Sequence, residues 1–290
     1  MTDSLDHWAE WLLHRRHGGD AEALRRTMEY LAPVRDRVLA NAKIAPGDRV
    51  LDVGCGDGLI AFGALDRVGP SGSVIFSDVS QDLLDRCQEL AAAMDVLDRC
   101  QFIRCAAEDL APVTAASVDA VTTRSVLIYV AAKEHAFAEF FRVLRPRGRL
   151  SIFEPINRFG ADQPRPDAGD AQDLADRVRA IFLRLQPPES DPMLDFDERD
   201  LLALAEAAGF PRIYLDLHAE IEPATPERWE TTLHRAGNPN SPTLAEAMAE
   251  ALTPEERVRY EAWLRPRIEQ GLGQSRGAVA YLWAVKGDPG

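Results

Sequence analysis

Between Arg49 and Ala64 the chain reads RVLDVGCGDGLIAFGA, and nothing else in it constrains the fold so strongly. Val50, Leu51 and Val53 form a short apolar run around Asp52, the pattern of a buried parallel strand. Gly54, Gly56 and Gly58 alternate with Cys55 and Asp57, and a helical pattern follows from Leu59 to Leu65. Strand, glycine turn and helix in that order bring a backbone close to a ligand, because the turn carries no side chains to stand in the way. Twenty residues past Gly58 a second apolar run ends at Asp78, where a carboxylate can accept both hydroxyls of a ribose. The glycines are spaced G-x-G-x-G, not the G-x-G-x-x-G of dinucleotide folds, and no Lys-Ser/Thr pair completes a P-loop.

From Arg49 onward strands and helices alternate regularly. Strands are predicted near 49–53, 73–77, 100–104, 118–123 and 149–154, with helices near 58–67, 80–93 and 131–144. This is the rhythm of a doubly wound parallel α/β sheet with helices on both faces. A proline-rich stretch at 155–196 interrupts it, with one helix expected at 171–185, and a helix opening at 195–200 ends before Gly209. A sixth strand is expected at 212–221, a second and mainly helical insertion at 222–276, and a last strand at 278–286. Ahead of the sheet, residues 4–17 read as an amphipathic helix with Trp8, Trp11, Leu12 and, less cleanly, Arg15 on one side. Gly18-Gly19 breaks it, Asp20 caps the next helix, and Pro33 is expected to kink or split that helix. The domain division that follows is an N-terminal helical cap over 1–44 and a sheet domain over 45–290.

VLDVGCGDG resembles the first motif of class I S-adenosylmethionine-dependent methyltransferases. The likeness continues through SDVS at 77–80, AAEDLAP at 106–112, VDAVTTRSVLIYV at 118–130 and EFFRVLRPRGRLSIFEP at 139–155. The last stretch is similar to the segment before the fifth strand in the ubiquinone/menaquinone-methyltransferase-like branch. The resemblance covers roughly residues 45–155. It implies a Rossmann-like seven-stranded methyltransferase sheet, with the seventh strand slotted antiparallel between fifth and sixth, and S-adenosyl-L-methionine as cofactor.

It also implies a set of cofactor contacts. Asp52, Gly54, Cys55, Gly56 and Gly58 would hold the methionine part, Asp52 through its ammonium. Asp78, with Val79, would hold the ribose. The adenine would lie at Ala107, Glu108 and Asp109, where Cys105-Ala106-Ala107-Glu108-Asp109-Leu110 departs from the family's usual acid and leaves the contact to Glu108, Asp109 or backbone. Arg124 and Ser125 would meet the cofactor after the fourth strand. On the substrate side stand Tyr129, Glu154 and Asn157. Methyl transfer from a sulfonium is an in-line displacement that asks chiefly for alignment and exclusion of water. His135, Glu154, His218, His14 and His17 are the residues in reach of proton transfer, yet none has a partner at diagnostic spacing, so no catalytic base is assigned.

Composition narrows the acceptor. With 33 basic and 47 acidic residues the net charge is −14, which argues against nucleic acid. No apolar run reaches a membrane span and the start lacks a signal-peptide pattern, so a cytoplasmic protein is expected. The four cysteines show no metal-ligand spacing, and no metal is expected. The leading reading is methyl transfer to a small molecule, aromatic or polyketide-like in character, by a chain for which a homodimer is an open option. Two alternatives compete: another S-adenosylmethionine-dependent reaction (cyclisation, decarboxylation or hydroxylation), and a nucleotide-binding oxidoreductase. The two insertions, carrying Ile181, Phe182, Leu183, Trp229, Leu233 and Trp263, are expected to form a substrate lid, with an oligomer interface as the competing role.

Overall fold

The structure is a computed structural model that describes residues 5–161 and 166–288. Seven strands form one sheet: β1 (Arg49–Val53), β2 (Ser73–Asp78), β3 (Cys100–Arg104), β4 (Val118–Arg124), β5 (Leu144–Pro155), β6 (Arg212–Pro223) and β7 (Gln274–Val285). Their order across the sheet is β3-β2-β1-β4-β5-β7-β6. β7 runs antiparallel to both neighbours, Leu150 facing Ala284 on one side and Ile213 facing the same residue on the other. β5 starts earlier than expected. Leu144 pairs with Val118 before a bulge resets the register to Arg149 and Ala120.

Successive residues of the central strands point to opposite faces, and both faces are covered. Val50, Val74 and Phe76 pack under α2 (Ala21–Asn41), α3 (Leu59–Val68) and α4 (Gln81–Ala93). Leu51, Ile75 and Val121 pack on the other side under α5 (Lys133–Val143) and α8 (Glu198–Ala207). α2 runs as one helix through Pro33, so the proline does not split it. The proline removes one helical hydrogen bond, while Leu31, Val34, Val38 and Leu39 hold the helix to the sheet over that turn.

The insertions do not line up as a lid. α7 (Gln172–Leu185), α9 (Trp229–His234), α10 (Leu244–Ala251) and α11 (Pro254–Glu269) pack on one another around Leu174, Val178, Trp229, Met248 and Tyr260. Ile181, Phe182, Leu233 and Trp263, partly buried, pack against this third core, and none of them lines the cavity at the sheet's ligand edge. Short helices α1 (His7–Glu10) and α6 (Arg158–Ala161) finish the fold.

The N-terminal segment folds differently from the single helix expected. α1 passes directly into a π-helical turn, Trp11–Arg15. A π turn inserts one extra residue, so the face downstream rotates. Arg15 is turned outward to Glu246, 2.5 Å away, and Arg16 takes the inward position.

Candidate functional site

A cavity of about 520 Å³ opens at the carboxyl ends of β1, β2 and β4, roofed by the N-terminal segment. Its floor is the glycine turn, and each glycine there answers a different demand. A Cβ at Gly54 would stand 2.3 Å from Val126 of the loop after β4. One at Gly58 would meet the Phe62 ring at 2.5 Å, inside the sheet–helix packing. Gly56, at φ +55°, faces the cavity, where a Cβ would press on Leu12 of the roof at 3.3 Å. Only Gly56 is thus a residue whose side chain would occupy ligand space.

Asp78 ends β2 at the cavity wall. Its carboxylate accepts the Gly56 N–H at 2.9 Å and the Ser80 N–H at 2.9 Å. Burial raises its pKa against those amide contacts. Val79, Ala107 and Glu108 continue the same wall. Asp109 turns away and accepts the Ala111 N–H at 3.2 Å. Opposite stand Arg124, Ser125 and Tyr129. Ser125 holds a left-handed backbone at φ +56°, which costs a non-glycine residue about 1–2 kcal/mol and marks a loop shaped by its surroundings.

Besides Asp109, four sequence candidates lie off the cavity lining. Asp52 is 2% exposed beneath the turn, accepts from Thr122 Oγ1 at 2.8 Å, and does not reach the cavity. Its place is structural because the turn itself covers it. Cys55 and Gly58 likewise sit below the turn, Cys55 in the core beside Cys87. Glu154, expected on the substrate side, is fully buried and accepts the N–H groups of Val126, Leu127 and Ile128 at 2.9, 3.0 and 3.4 Å. It shapes the loop behind Tyr129 instead of touching a substrate. Asn157, by contrast, lines the cavity.

The roof is tied down at both ends. The Asp6 N–H donates to Asp82 at 2.6 Å, and Ser80 Oγ donates to the Asp6 carboxylate at 2.7 Å. Trp11 Nε1 donates to the Ala236 carbonyl at 2.9 Å, and the Ala236 N–H donates to the Arg15 carbonyl at 2.9 Å. Trp8 meets the Tyr129 ring edge-on, centroids 5.0 Å apart. From the insertions Pro155, Asn157, Met193 and Gly237 reach the cavity among the described residues. Lys133 holds the segment bearing Met193, donating to the Pro192 carbonyl at 3.1 Å and to Asp195 at 2.5 Å.

A second chamber of about 680 Å³ adjoins the first across Arg16, Arg124, Ser125, Pro155 and Asn157, which line both. Tyr30, Leu31, Phe153 and Tyr281 give it an apolar body. His218 lies on its rim, 3.1 Å from Glu220, whereas His135 is exposed on α5. Sequence periodicity could not find Arg16, because the π turn moves it onto the inner face. Met193 and the residues of the second chamber come together only through the tertiary fold.

The comparisons with known proteins agree with this geometry. Residues 50–148 match a family described as a methyltransferase domain. A ubiquinone/menaquinone biosynthesis C-methyltransferase, UbiE, of Xylella fastidiosa is 32% identical over 187 residues, covering 60% of this chain and 70% of that protein. The chain belongs to the class I S-adenosylmethionine-dependent methyltransferases, in their ubiquinone/menaquinone-methyltransferase-like branch. A nocamycin O-methyltransferase of Saccharothrix syringae is 31% identical over 129 residues, 44% of this methyltransferase and 45% of that one. The YcgJ protein of Bacillus subtilis shares the fold, with a TM-score of 0.55 at 15% identity over 88% of this chain and 98% of that one. The methyltransferase is therefore an enzyme that uses S-adenosyl-L-methionine, and neither the oxidoreductase reading nor a non-methylating reaction is favoured. Among the described residues no helix is long and apolar enough to cross a membrane.

The residues present fit that cofactor. Asp78 offers carboxylate oxygens at the end of β2, and Gly56 leaves open the space that a Cβ would fill. Bound there, the cofactor supplies an electrophilic methyl group on a sulfonium.

Proposed function

We propose that the enzyme methylates a small organic acceptor with an apolar, partly aromatic body. In this reading Asp78 and Val79 hold the ribose, Ala107 and Glu108 border the adenine, and Gly54 and Gly56 let the methionine part lie on the turn. Arg124, Ser125 and Tyr129 close the far side. The acceptor occupies the second chamber, and its reacting atom comes to the shared wall at Ser125, Pro155 and Asn157. The observation that carries this reading is that two chambers share that wall, one floored by the glycine turn, the other combining an apolar body of Tyr30, Leu31, Phe153 and Tyr281 with charged groups. The protein's part is alignment and dryness: the Trp8–Tyr129 contact and the roof cover the junction, which favours displacement over hydrolysis.

Calorimetry with S-adenosylhomocysteine tests the cofactor side. Micromolar binding is expected, on the order of −8 kcal/mol. Gly56→Ala should weaken it sharply, since the new Cβ enters ligand space; the left-handed backbone there adds strain, so the fold of the variant is checked by circular dichroism. Asp78→Ala should weaken it by roughly 1.5–3 kcal/mol, the range for hydrogen bonds to a charged group. Full affinity in both variants would sink the assignment.

A further inference from the structure

The wall between the two chambers is lined by cations, with Asp57 the acid nearest in effect to Arg16 and the buried Asp52 and Glu154 behind Arg124. Arg16 and Arg124 both face it, and neither makes a hydrogen bond or ion pair through its guanidinium among the described residues. Arg16 lies over the Trp11 ring at 5.5 Å, which leaves the edge of its guanidinium free. Burial and the neighbouring Arg124 both lower the Arg16 pKa, the mark of like charges gathered out of water. Arg276 adds a third guanidinium to the second chamber, lying over Phe159 at 5.5 Å.

Two donors in the same place are buried without acceptors: Asn157 Nδ2 and Arg276 Nε. A buried donor left unpaired costs about 1–3 kcal/mol. The other charged groups of the chamber are already engaged. Arg37 is paired with Asp216 and lies over Tyr281, and Glu220 sits beside His218. In a protein with net charge −14, one junction thus gathers three arginines that make no guanidinium hydrogen bond or ion pair among the described residues, with the Asn157 amide as a further orphan donor. Planar guanidinium groups match a carboxylate well, through parallel hydrogen bonds.

We propose that the acceptor carries a carboxylate on its apolar body, held by Arg16, Arg124 and Arg276 with Asn157 as a further donor. This rests on the two-chamber reading above. The carboxylate fixes which end of the acceptor turns toward the methyl donor. The apolar body lies against Tyr30, Leu31, Phe153 and Tyr281.

The test uses naphthoate and its neutral isostere naphthamide as probes, titrated into the full-length protein saturated with S-adenosylhomocysteine. Binding of S-adenosylhomocysteine is measured first and alone, so a failure there falls on the cofactor reading. Naphthoate is expected to bind at least tenfold tighter than naphthamide. Arg276→Gln should erase that advantage while leaving the affinities for naphthamide and S-adenosylhomocysteine unchanged. Equal affinity of the two probes, or no binding of either, overturns the proposal. Arg16→Gln and Arg124→Gln should each weaken naphthoate in the same way. If instead they weaken S-adenosylhomocysteine but neither naphthoate nor methylthioadenosine, which lacks the amino-acid tail, the pair serves the cofactor's own carboxylate and the proposal fails.

Discussion

Glu154 is a carboxylate that serves three amides and touches no ligand. Burial raises its pKa from the ordinary 4.5 to about 7, against the pull of the Leu127, Val126 and Ile128 N–H groups. Between those two values the folded protein keeps a proton that the unfolded chain has released. Stability therefore falls as pH climbs from about 4.5 through about 7, the reverse of an acid with a depressed pKa. Asp52, raised from 3.8 to about 7 by its own burial, adds to the same trend. Asp78, also raised by burial, contributes in the same direction. Glu154→Gln removes one of these titrating groups and keeps an acceptor oxygen for the loop. Urea unfolding between about pH 5 and about pH 7 should then show a shallower slope than wild type. An unchanged slope would mean that Glu154 is ionised throughout. Glu154 and Asp52 also show what a sequence conceals. Both stand beside site residues in the chain, yet burial angle decides that Asp78 and Asn157 face the cavity while Asp52 and Glu154 hold up its floor and wall.

Among the elements, the strands and long helices were the legible part of the sequence. Period-two and period-3.6 patterns fix where β1 to β4 and α3 to α5 lie, because both faces of the sheet must be covered. Asp78 was legible for a related reason: a strand must end somewhere, and a carboxylate at that end meets the ligand edge. The N-terminal segment was legible only as amphipathic. Its π turn depends on the Trp11–Ala236 and Arg15–Ala236 hydrogen bonds, which reach across more than two hundred residues of chain and leave no local signal. If donor and product pass beneath that segment, it moves in each turnover. Amide exchange over residues 7–15 should slow when S-adenosylhomocysteine is added. Trp11→Phe, which loses the indole N–H, should speed exchange in the free protein and weaken the ligand by about 1 kcal/mol. Exchange that is equally slow with and without ligand would make the roof a fixed wall.

At the scale of the whole molecule there are three apolar cores, two on the faces of the sheet and one among the inserted helices. The third meets the N-terminal segment through Ala236, which anchors Trp11, and through Glu246 of α10, which pairs with Arg15. Apolar residues at 171–185 and 222–276 announced helices, but whether those helices seek the cavity, a partner chain or one another is a question of tertiary packing. They pack on one another. Trp229→Ala, removing a side chain 3% exposed at the centre of that core, should cost about 3–5 kcal/mol of local stability. Hydrogen exchange should rise across α7, α9, α10 and α11 while β1, β2 and β4 stay protected. A uniform loss of protection through the sheet as well would show one cooperative unit.

The position of β7 bears on how such a chain comes to be made. β6 has one neighbour in the sheet, and that neighbour is β7. While the ribosome is still short of residues 274–285, β5 and β6 each present a bare row of amides and carbonyls with nothing between them. The nascent protein carries the open edge of β5 from residue 155 and that of β6 from residue 223 until β7 emerges, a state in which strands recruit wrong partners. Closure then joins residues far apart in the chain, Arg149 to Val285 among them, and contacts of such span form slowly.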